Sequence, residues 1–132
     1  FGQEDLRYGL RENVRGNQLA KTPEFTADIL IKHEANLPSG KTLTTVVQYV
    51  RRGEFQQRVS NNPVVDDIRA YTIGNLTTTV GLSESLAVDF MVLNVTDESG
   101  VNSSMTDVFG VAATGLELIP PRQVMTRLRY KF

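Results

Sequence analysis

The stretch that decides the fold is the end of the chain, Arg122-Gln123-Val124-Met125-Thr126-Arg127-Leu128-Arg129-Tyr130-Lys131-Phe132. In a β-strand, alternate side chains point to opposite faces. One row of this stretch is therefore apolar or aromatic, and the other is mostly cationic. The apolar row consists of Val124, Thr126, Leu128, Tyr130 and Phe132. Such a strand fits the wall of a transmembrane β-barrel, with its apolar row in lipid, or an amphipathic strand of a soluble sandwich.

Four earlier stretches repeat this alternation. Residues 25–37 carry the longest pattern, with Phe25, Ala27, Ile29 and Ile31 on one parity. Residues 42–55 follow, rich in the Thr, Val and Tyr that favour strands, and residues 71–82 and 86–95 alternate as well. Residues 1–10 also show a short alternation. We therefore predict an all-β fold of antiparallel, up-and-down strands, with the final strand beginning either after Pro120-Pro121 or a few residues before them, near Leu116.

The connections between these strands alternate in length. Tight turns are predicted after Leu37, at Pro38-Ser39-Gly40-Lys41, and after Leu82, at Ser83-Glu84-Ser85. The other connections, residues 11–24, 56–69 and 98–121, are long and rich in polar residues. Outer-membrane barrels alternate short periplasmic turns with long external loops. The alternation favours a membrane barrel over a soluble meander.

Composition excludes several classes of function. Lys and Arg number 14 against 15 for Asp and Glu, so no basic excess points to a nucleic-acid partner. There is no cysteine, which excludes disulfides and thiolate metal sites, and the single histidine, His33, excludes a multi-histidine site. No apolar run is long enough for a transmembrane helix. Because the chain starts Phe1-Gly2-Gln3, we expect it to be a piece of a longer product.

Candidate chemistry is sparse. The acidic pairs Asp66-Asp67 and Asp97-Glu98 are candidate Ca²⁺ ligands, but adjacent acids in polar loops are more often solvated, and no calcium-loop spacing is present. No serine lies in a recognisable arrangement with a histidine and an acid. We predict that the chain is not an enzyme and carries no cofactor or metal.

Two sets of residues are assigned by strand parity. Charged residues on the polar rows would line the lumen of a barrel, where they can pair with one another. These candidate lumen-facing residues are Asp28, Lys32, Glu34, Asp89, Arg127 and Arg129. Tyrosines near predicted strand ends fit the aromatic belts found where a membrane meets water. These are Tyr8, Tyr49, Tyr71 and Tyr130.

Four motifs, in order along the chain, resemble those of TonB-dependent outer-membrane receptors. Residues 16–23 (GNQLAKTP) resemble an element that enters a strand of that family, and residues 70–76 (AYTIGNL) resemble a strand opening. Residues 94–103 (NVTDESGVNS) are similar to the start of the family's final long loop. Residues 120–132 (PPRQVMTRLRYKF) are similar to its ending. Each motif alone is weak, but their order and spacing together are fairly specific.

The resemblance implies that residues 1–132 are the C-terminal segment of a barrel of about 22 strands, supplying about five to six of them. The plug, the earlier strands and the N-terminal region that contacts TonB would lie outside this chain. The implied partners are outer-membrane lipid, the rest of the barrel and plug, TonB and the barrel-insertion machinery. The last row, Val124, Leu128, Tyr130 and Phe132, would act as the signal for that machinery.

The implied function is uptake of a scarce nutrient, such as an iron-siderophore or another large ligand, across the outer membrane of a Gram-negative cell. The alternative is a soluble all-β domain that binds a ligand or a protein.

Overall fold

A computed structural model describes residues 3–5, 10–106 and 114–132, and these form an all-β protein with antiparallel sheets, as predicted. None of the helical segments in these ranges has the length and apolarity that a membrane-crossing helix requires. The strands are β1 (Gln3–Asp5), β2 (Leu10–Glu12), β3 (Thr26–Asn36), β4 (Thr42–Arg52), β5 (Phe55–Gln56), β6 (Asp67–Ile68), β7 (Tyr71–Gly81), β8 (Leu86–Leu93), β9 (Val101–Thr106), β10 (Thr114–Leu118) and β11 (Gln123–Tyr130).

The largest sheet has five strands in the order β11-β8-β7-β4-β3. Strands β3, β4 and β7 have 11 residues each, and β8 and β11 have 8 each. These are the five strands that alternation predicts, and their bounds agree with the predicted ones within two or three residues. Each strand lies next to its predecessor in the sheet, so the sheet is an up-and-down meander with β3 and β11 at its edges.

The turns of this sheet are short at one end. Leu37 N donates to Lys41 O around a single 3₁₀ turn in which Ser39 has a φ of 67°. Leu82 N donates to Leu86 O around the turn between β7 and β8. Lys131 N bonds Ser85 O, which places the end of β11 beside that second turn. The two long connections leave the opposite ends of the strands, as the predicted alternation requires.

The register sets one row of each strand on the same face. Val92 of β8 lies opposite both Val124 of β11 and Leu76 of β7, and Val88 lies opposite Leu128 and Val80. On the other face, Asn75 of β7 donates to Gln48 of β4, which donates to Asp28 of β3. Since Asn75 and Leu76 have opposite parity, the apolar rows of β3, β4, β7, β8 and β11 all lie on one face.

The chain divides into two compact units. The sheet unit comprises Ala27–Arg51, Thr72–Glu98 and Pro120–Phe132, and the loop unit comprises Phe1–Thr26, Arg52–Tyr71 and Ser99–Ile119. The loop unit contains the buried apolar side chains of the described residues. They are Phe55, Ile68, Tyr71 and Ile119.

The structure corrects or settles three expectations about strand ends and connections. The strand predicted over residues 42–55 ends three residues earlier, at Arg52. Residues 56–69 are not only loop, since β5 pairs with β6. The final strand does not begin before the prolines. Leu116 and Leu118 belong to β10, which pairs with β9 instead.

The N-terminal alternation is only partly described. β1 pairs with β2 in a separate two-stranded sheet. The residues between these strands, which include Leu6 and Tyr8, lie outside the described ranges.

Candidate functional site

The apolar face of the five-stranded sheet is exposed. Ile31 on β3 is 61% exposed, Val47 on β4 is 42%, Phe90 on β8 is 44% and Leu128 on β11 is 68%. Large apolar side chains at these levels do not form the inside of a core. Large apolar side chains are therefore exposed on this face in four of the five strands, whereas the row of β7 between them is half-buried. On the opposite face, Leu30 and Met125 are also exposed, at 62% and 40%.

The row predicted as an assembly signal runs along the edge of this face. Val124, Leu128 and Tyr130 are 61%, 68% and 60% exposed. Phe132 follows the strand and packs edge-on against Tyr130, with ring centroids 5.1 Å apart and planes at 85°. The geometry leaves the four side chains accessible to another molecule.

On the polar face, Asp89 forms the most connected group. It is 1% exposed, and its carboxylate accepts hydrogen bonds of 2.8 Å from Arg127 Nε, Arg129 Nη2 and Thr79 Oγ1. The register explains the contacts, because Arg127 on β11 and Thr79 on β7 lie directly opposite Asp89. Three of the six predicted lumen-facing residues thus form one cluster, with two cations around one carboxylate.

The other three predicted residues make different contacts. Asp28 accepts hydrogen bonds of 3.0 and 3.2 Å from Gln48 Nε2. Lys32 and Glu34 form an ion pair of 2.9 Å along β3, with side chains 52% and 65% exposed. A pair this exposed contributes about 0–1 kcal/mol to stability. The structure therefore shows pairing among the charges of this face.

Asn94 has a structural role that the sequence analysis did not predict. It is 3% exposed, with a φ of 50° at the end of β8. Its Nδ2 donates to the carbonyl oxygens of Glu98 and Pro120, and its Oδ1 accepts from Glu98 N. One side chain thus ties both ends of the long connection between β8 and β11. Asparagine tolerates positive φ better than most residues, which is the signal that marks this position in the NVTD motif.

The candidate metal ligands have structural contacts instead. Asp66 is fully buried and accepts hydrogen bonds from Arg58, Ser60 and Asn62 of its own loop. Asp97 instead accepts a bond of 2.8 Å from Arg122 N. Within residues 3–5, 10–106 and 114–132, no group of three His, Asp or Glu side chains could hold a metal ion.

The tyrosines predicted to form an aromatic belt fall into two groups. Tyr49 and Tyr130 lie on the apolar face and are 50% and 60% exposed. The prediction for Tyr71 is wrong, because its ring is 6% exposed in the loop unit, where it packs against Gly100, and its hydroxyl accepts a bond from Arg52. Tyr8 lies outside the described ranges.

One carboxylate of the loop unit has a shifted pKa. Ser103 Oγ donates a hydrogen bond of 2.6 Å to Glu117 across the β9–β10 pair. This bond, with a second one from Asn102, lowers the pKa of Glu117 below its usual range. The hydrogen bonds favour the charged form and keep this exposed side chain an anion.

Comparison of the chain with protein-family models, with curated proteins and with solved structures finds no match.

Proposed function

We propose that this chain is the C-terminal part of the β-barrel of a TonB-dependent outer-membrane receptor, in which the five-stranded sheet crosses the bilayer. The observation that carries the proposal is the apolar face of the sheet, where large side chains are exposed on β3, β4, β8 and β11, opposite a face that carries the Asp89 cluster and the Lys32–Glu34 pair. The four motifs of the sequence support the family. Membership of that family makes uptake of a scarce nutrient the activity of the whole receptor.

Lipid is the environment that best fits the apolar face. Soluble monomers rarely expose continuous apolar patches above a few hundred Å². A bilayer accepts such a surface, and a tilted strand needs about 9–11 residues to cross it. The three 11-residue strands meet that length, and the exposed Tyr49 and Tyr130 suit the interfaces with water.

The polar face suits the lumen of a barrel. Barrel interiors are polar, and charged side chains there need partners. Asp89 supplies one carboxylate to two arginines, so the cluster retains a net positive charge that a carboxylate of the plug can neutralise. We assign this face to contact with the plug and with the ligand path.

The two edge strands support a larger barrel. An open sheet edge cannot exist in hydrocarbon, because each unpaired N–H and C=O group there costs several kcal/mol. β3 and β11 are the edges of the sheet. The remaining strands of the receptor would pair with both of them, and the exposed row of β11 would meet the insertion machinery before closure.

Site-directed labelling tests the proposal, since the chain contains no cysteine of its own. Val80→Cys and Thr77→Cys place a fluorophore on opposite faces of the same strand, β7. In phosphatidylcholine vesicles containing spin-labelled lipid, we expect strong quenching at position 80 and weak quenching at position 77. A matched preparation without lipid gives the unquenched signal of each variant.

The soluble alternative predicts a different result. A β-rich chain that stays monodisperse without detergent, with equal and weak quenching at both positions, would overturn the membrane proposal. Aggregation without detergent, together with quenching only at position 80, supports it.

A further inference from the structure

The apolar face does not fix the position of β11 along β8. Val88 of β8 lies opposite Leu128, which is 68% exposed. A shift of β11 by two residues in either direction would keep every side chain on its own face, because side chains alternate with a period of two. Val88 would then lie opposite Thr126 or Tyr130 instead. Exposed cross-strand pairs of this kind discriminate only weakly between such positions.

The polar face does distinguish these positions. Asp89 is the only acidic residue in either strand, and it lies opposite Arg127. Arg129 reaches the same carboxylate diagonally, and both guanidinium bonds are 2.8 Å long. A shift of β11 by two residues toward the turn between β7 and β8 would bring Met125 opposite Asp89 and carry Arg129 about 6–7 Å away. Asp89 is 1% exposed, so the loss of a cationic partner there is costly.

The segment that enters β11 is held at the other end of β8. Asn94 Nδ2 donates a hydrogen bond of 2.9 Å to Pro120 O, and Arg122 N donates one of 2.8 Å to Asp97 Oδ1. We call these four residues the clamp. Asn94 N also donates to Asn75 Oδ1 of β7, which ties the clamp to the sheet. The clamp therefore holds the start of β11 beside the end of β8.

The clamp opposes the second shift, which the Asp89 cluster would tolerate. A shift of two residues away from the turn would bring Arg129 opposite Asp89 in place of Arg127, so the carboxylate would keep a cation. The same shift would stretch both bonds of the clamp by the length of two residues, about 6–7 Å. Asn94 is 3% exposed, and a buried amide that loses its partner is unfavourable.

We propose that the Asp89 cluster and the clamp together fix β11 at one position along β8. The cluster opposes the shift toward the turn, and the clamp opposes both shifts, so Asp89 and Asn94 are positioning residues for the last strand. The proposal goes beyond the proposed function and does not depend on it, since none of these bonds involves an apolar side chain. The position of β11 in turn sets where its exposed apolar row lies along the edge of the sheet.

Disulfide trapping tests the proposal, because the chain contains no cysteine of its own. Three double variants of the full chain share Val88→Cys. The second change is Leu128→Cys for the observed position, Thr126→Cys for the shift toward the turn, and Tyr130→Cys for the opposite shift. Directly opposite residues have Cα atoms close enough for a disulfide, whereas diagonal neighbours are at or beyond the limit. In phosphocholine micelles with iodine as the oxidant, mass spectrometry measures each disulfide, and we expect the 88–128 pair to form about tenfold faster than the other two.

Three substitutions in these backgrounds separate the role of the cluster from that of the clamp. Asp89→Asn should speed the 88–126 pair about tenfold and leave the 88–130 pair slow, because the charge that opposes the shift toward the turn is gone. Arg129→Gln keeps the bond between Asp89 and Arg127 and should speed the 88–126 pair to a smaller extent. Asn94→Gly accepts the φ of 50° at this position, removes the amide, and should speed the 88–130 pair.

A matched control lies on the same polar face. Asp28→Asn makes the same chemical change on β3, where the carboxylate bonds Gln48 of β4 instead of a residue of β11. It should leave the rates of all three pairs unchanged.

Each outcome decides one part of the proposal. Equal rates for the three pairs in the otherwise unchanged chain would overturn all of it, because β11 would then have no fixed position. An 88–126 pair that stays slow in Asp89→Asn would overturn the role of the cluster, and Arg129→Gln decides the same point if Asp89→Asn does not fold. An 88–130 pair that stays slow in Asn94→Gly would overturn the role of the clamp.

Discussion

The loop unit and the sheet unit arrange polar and apolar side chains in opposite ways. In the loop unit, Phe55 and Ile68 are 1% and 3% exposed, as in an ordinary core. In the sheet unit, the polar Asp89 and Asn94 are 1% and 3% exposed, whereas Leu128 is 68% exposed. The two units therefore differ in which kind of side chain they bury. The loop unit folds by burying apolar groups from water, and the sheet unit displays them.

The largest expected effect comes from the loop core. Phe55→Ala removes a fully buried ring that also lies 4.2 Å from the Arg52 guanidinium. We expect a loss of about 3–5 kcal/mol in the free energy of unfolding of the loop unit. Amide hydrogen exchange at β5 and β6 measures it. Val64→Ala is the control, since Val64 is 86% exposed and should change stability by less than about 0.5 kcal/mol. Equal effects from the two variants would contradict the existence of this core.

A charge placed on each face of the sheet tests how the sheet unit arranges its apolar and polar side chains. Val88→Arg puts a guanidinium on the apolar face, and Thr77→Arg puts one on the polar face. We expect Val88→Arg to destabilise the chain in phosphatidylcholine vesicles by about 2–4 kcal/mol and Thr77→Arg to cost far less. Urea unfolding from vesicles measures both. A larger cost at position 77 would assign the faces the other way round.

The buried carboxylate of the sheet gives the next effect. Asp89→Asn leaves Arg127 and Arg129 without a charged partner, and we expect a loss of about 1.5–3 kcal/mol, the range for hydrogen bonds to charged groups. Asp97→Asn is the comparison, because Asp97 is half-exposed and its ion pair with Arg122 is 4.0 Å long. That pair should contribute about 0–1 kcal/mol. A larger loss of stability for Asp97→Asn than for Asp89→Asn in urea unfolding would contradict a stabilising role of the Asp89 cluster.

Two glycines should respond with opposite signs. At Gly100 of the loop unit, a Cβ would lie 2.8 Å from Tyr71 Cγ, so Gly100→Ala should cost about 1–3 kcal/mol by overpacking. At Gly74 of the sheet, the same change meets open space and removes the cost of glycine within a strand, about 0.5–1 kcal/mol relative to alanine. Urea unfolding of the two variants checks the signs. If Gly100→Ala increased the stability, the Tyr71 ring would have to move aside at little cost in free energy.

The smallest effect concerns pH. The lowered pKa of Glu117 means that its contact with Ser103 stabilises the β9–β10 pair when Glu117 is ionised. This contribution is present above the usual range of a glutamate and is lost as the pH falls through the lowered value. An NMR titration should show the pKa of Glu117 rising in Ser103→Ala. An unchanged value in that variant would assign the shift to another cause.

The alternation of residues predicts the strands of the sheet closely, but it does not predict the loop unit. Strand β3 could be read from residues 25–37 because one row is nearly all apolar. The short strands β5, β6, β9 and β10 could not, since two to six residues show too little periodicity. The burial of Tyr71 is not predicted either, because it depends on long-range contacts. Its neighbours in space, Arg52 and Gly100, are distant in sequence.

The sequence predicts on which face of the sheet the residues of the candidate site lie, but not which of them contact one another. Parity places Asp89, Arg127 and Arg129 on the polar face, but only the register brings them within hydrogen-bond distance. A shift of one residue would move every one of these side chains to the other face.

By itself, the sequence determined the five long strands, their two faces and the alternation of short and long connections, because these depend on local periodicity and turn chemistry. Tertiary structure alone decided the pairing of the strands, the carboxylate that holds two arginines, and the small core within the long connections. Those features depend on contacts between residues far apart in the chain. No local pattern specifies how such distant segments pack.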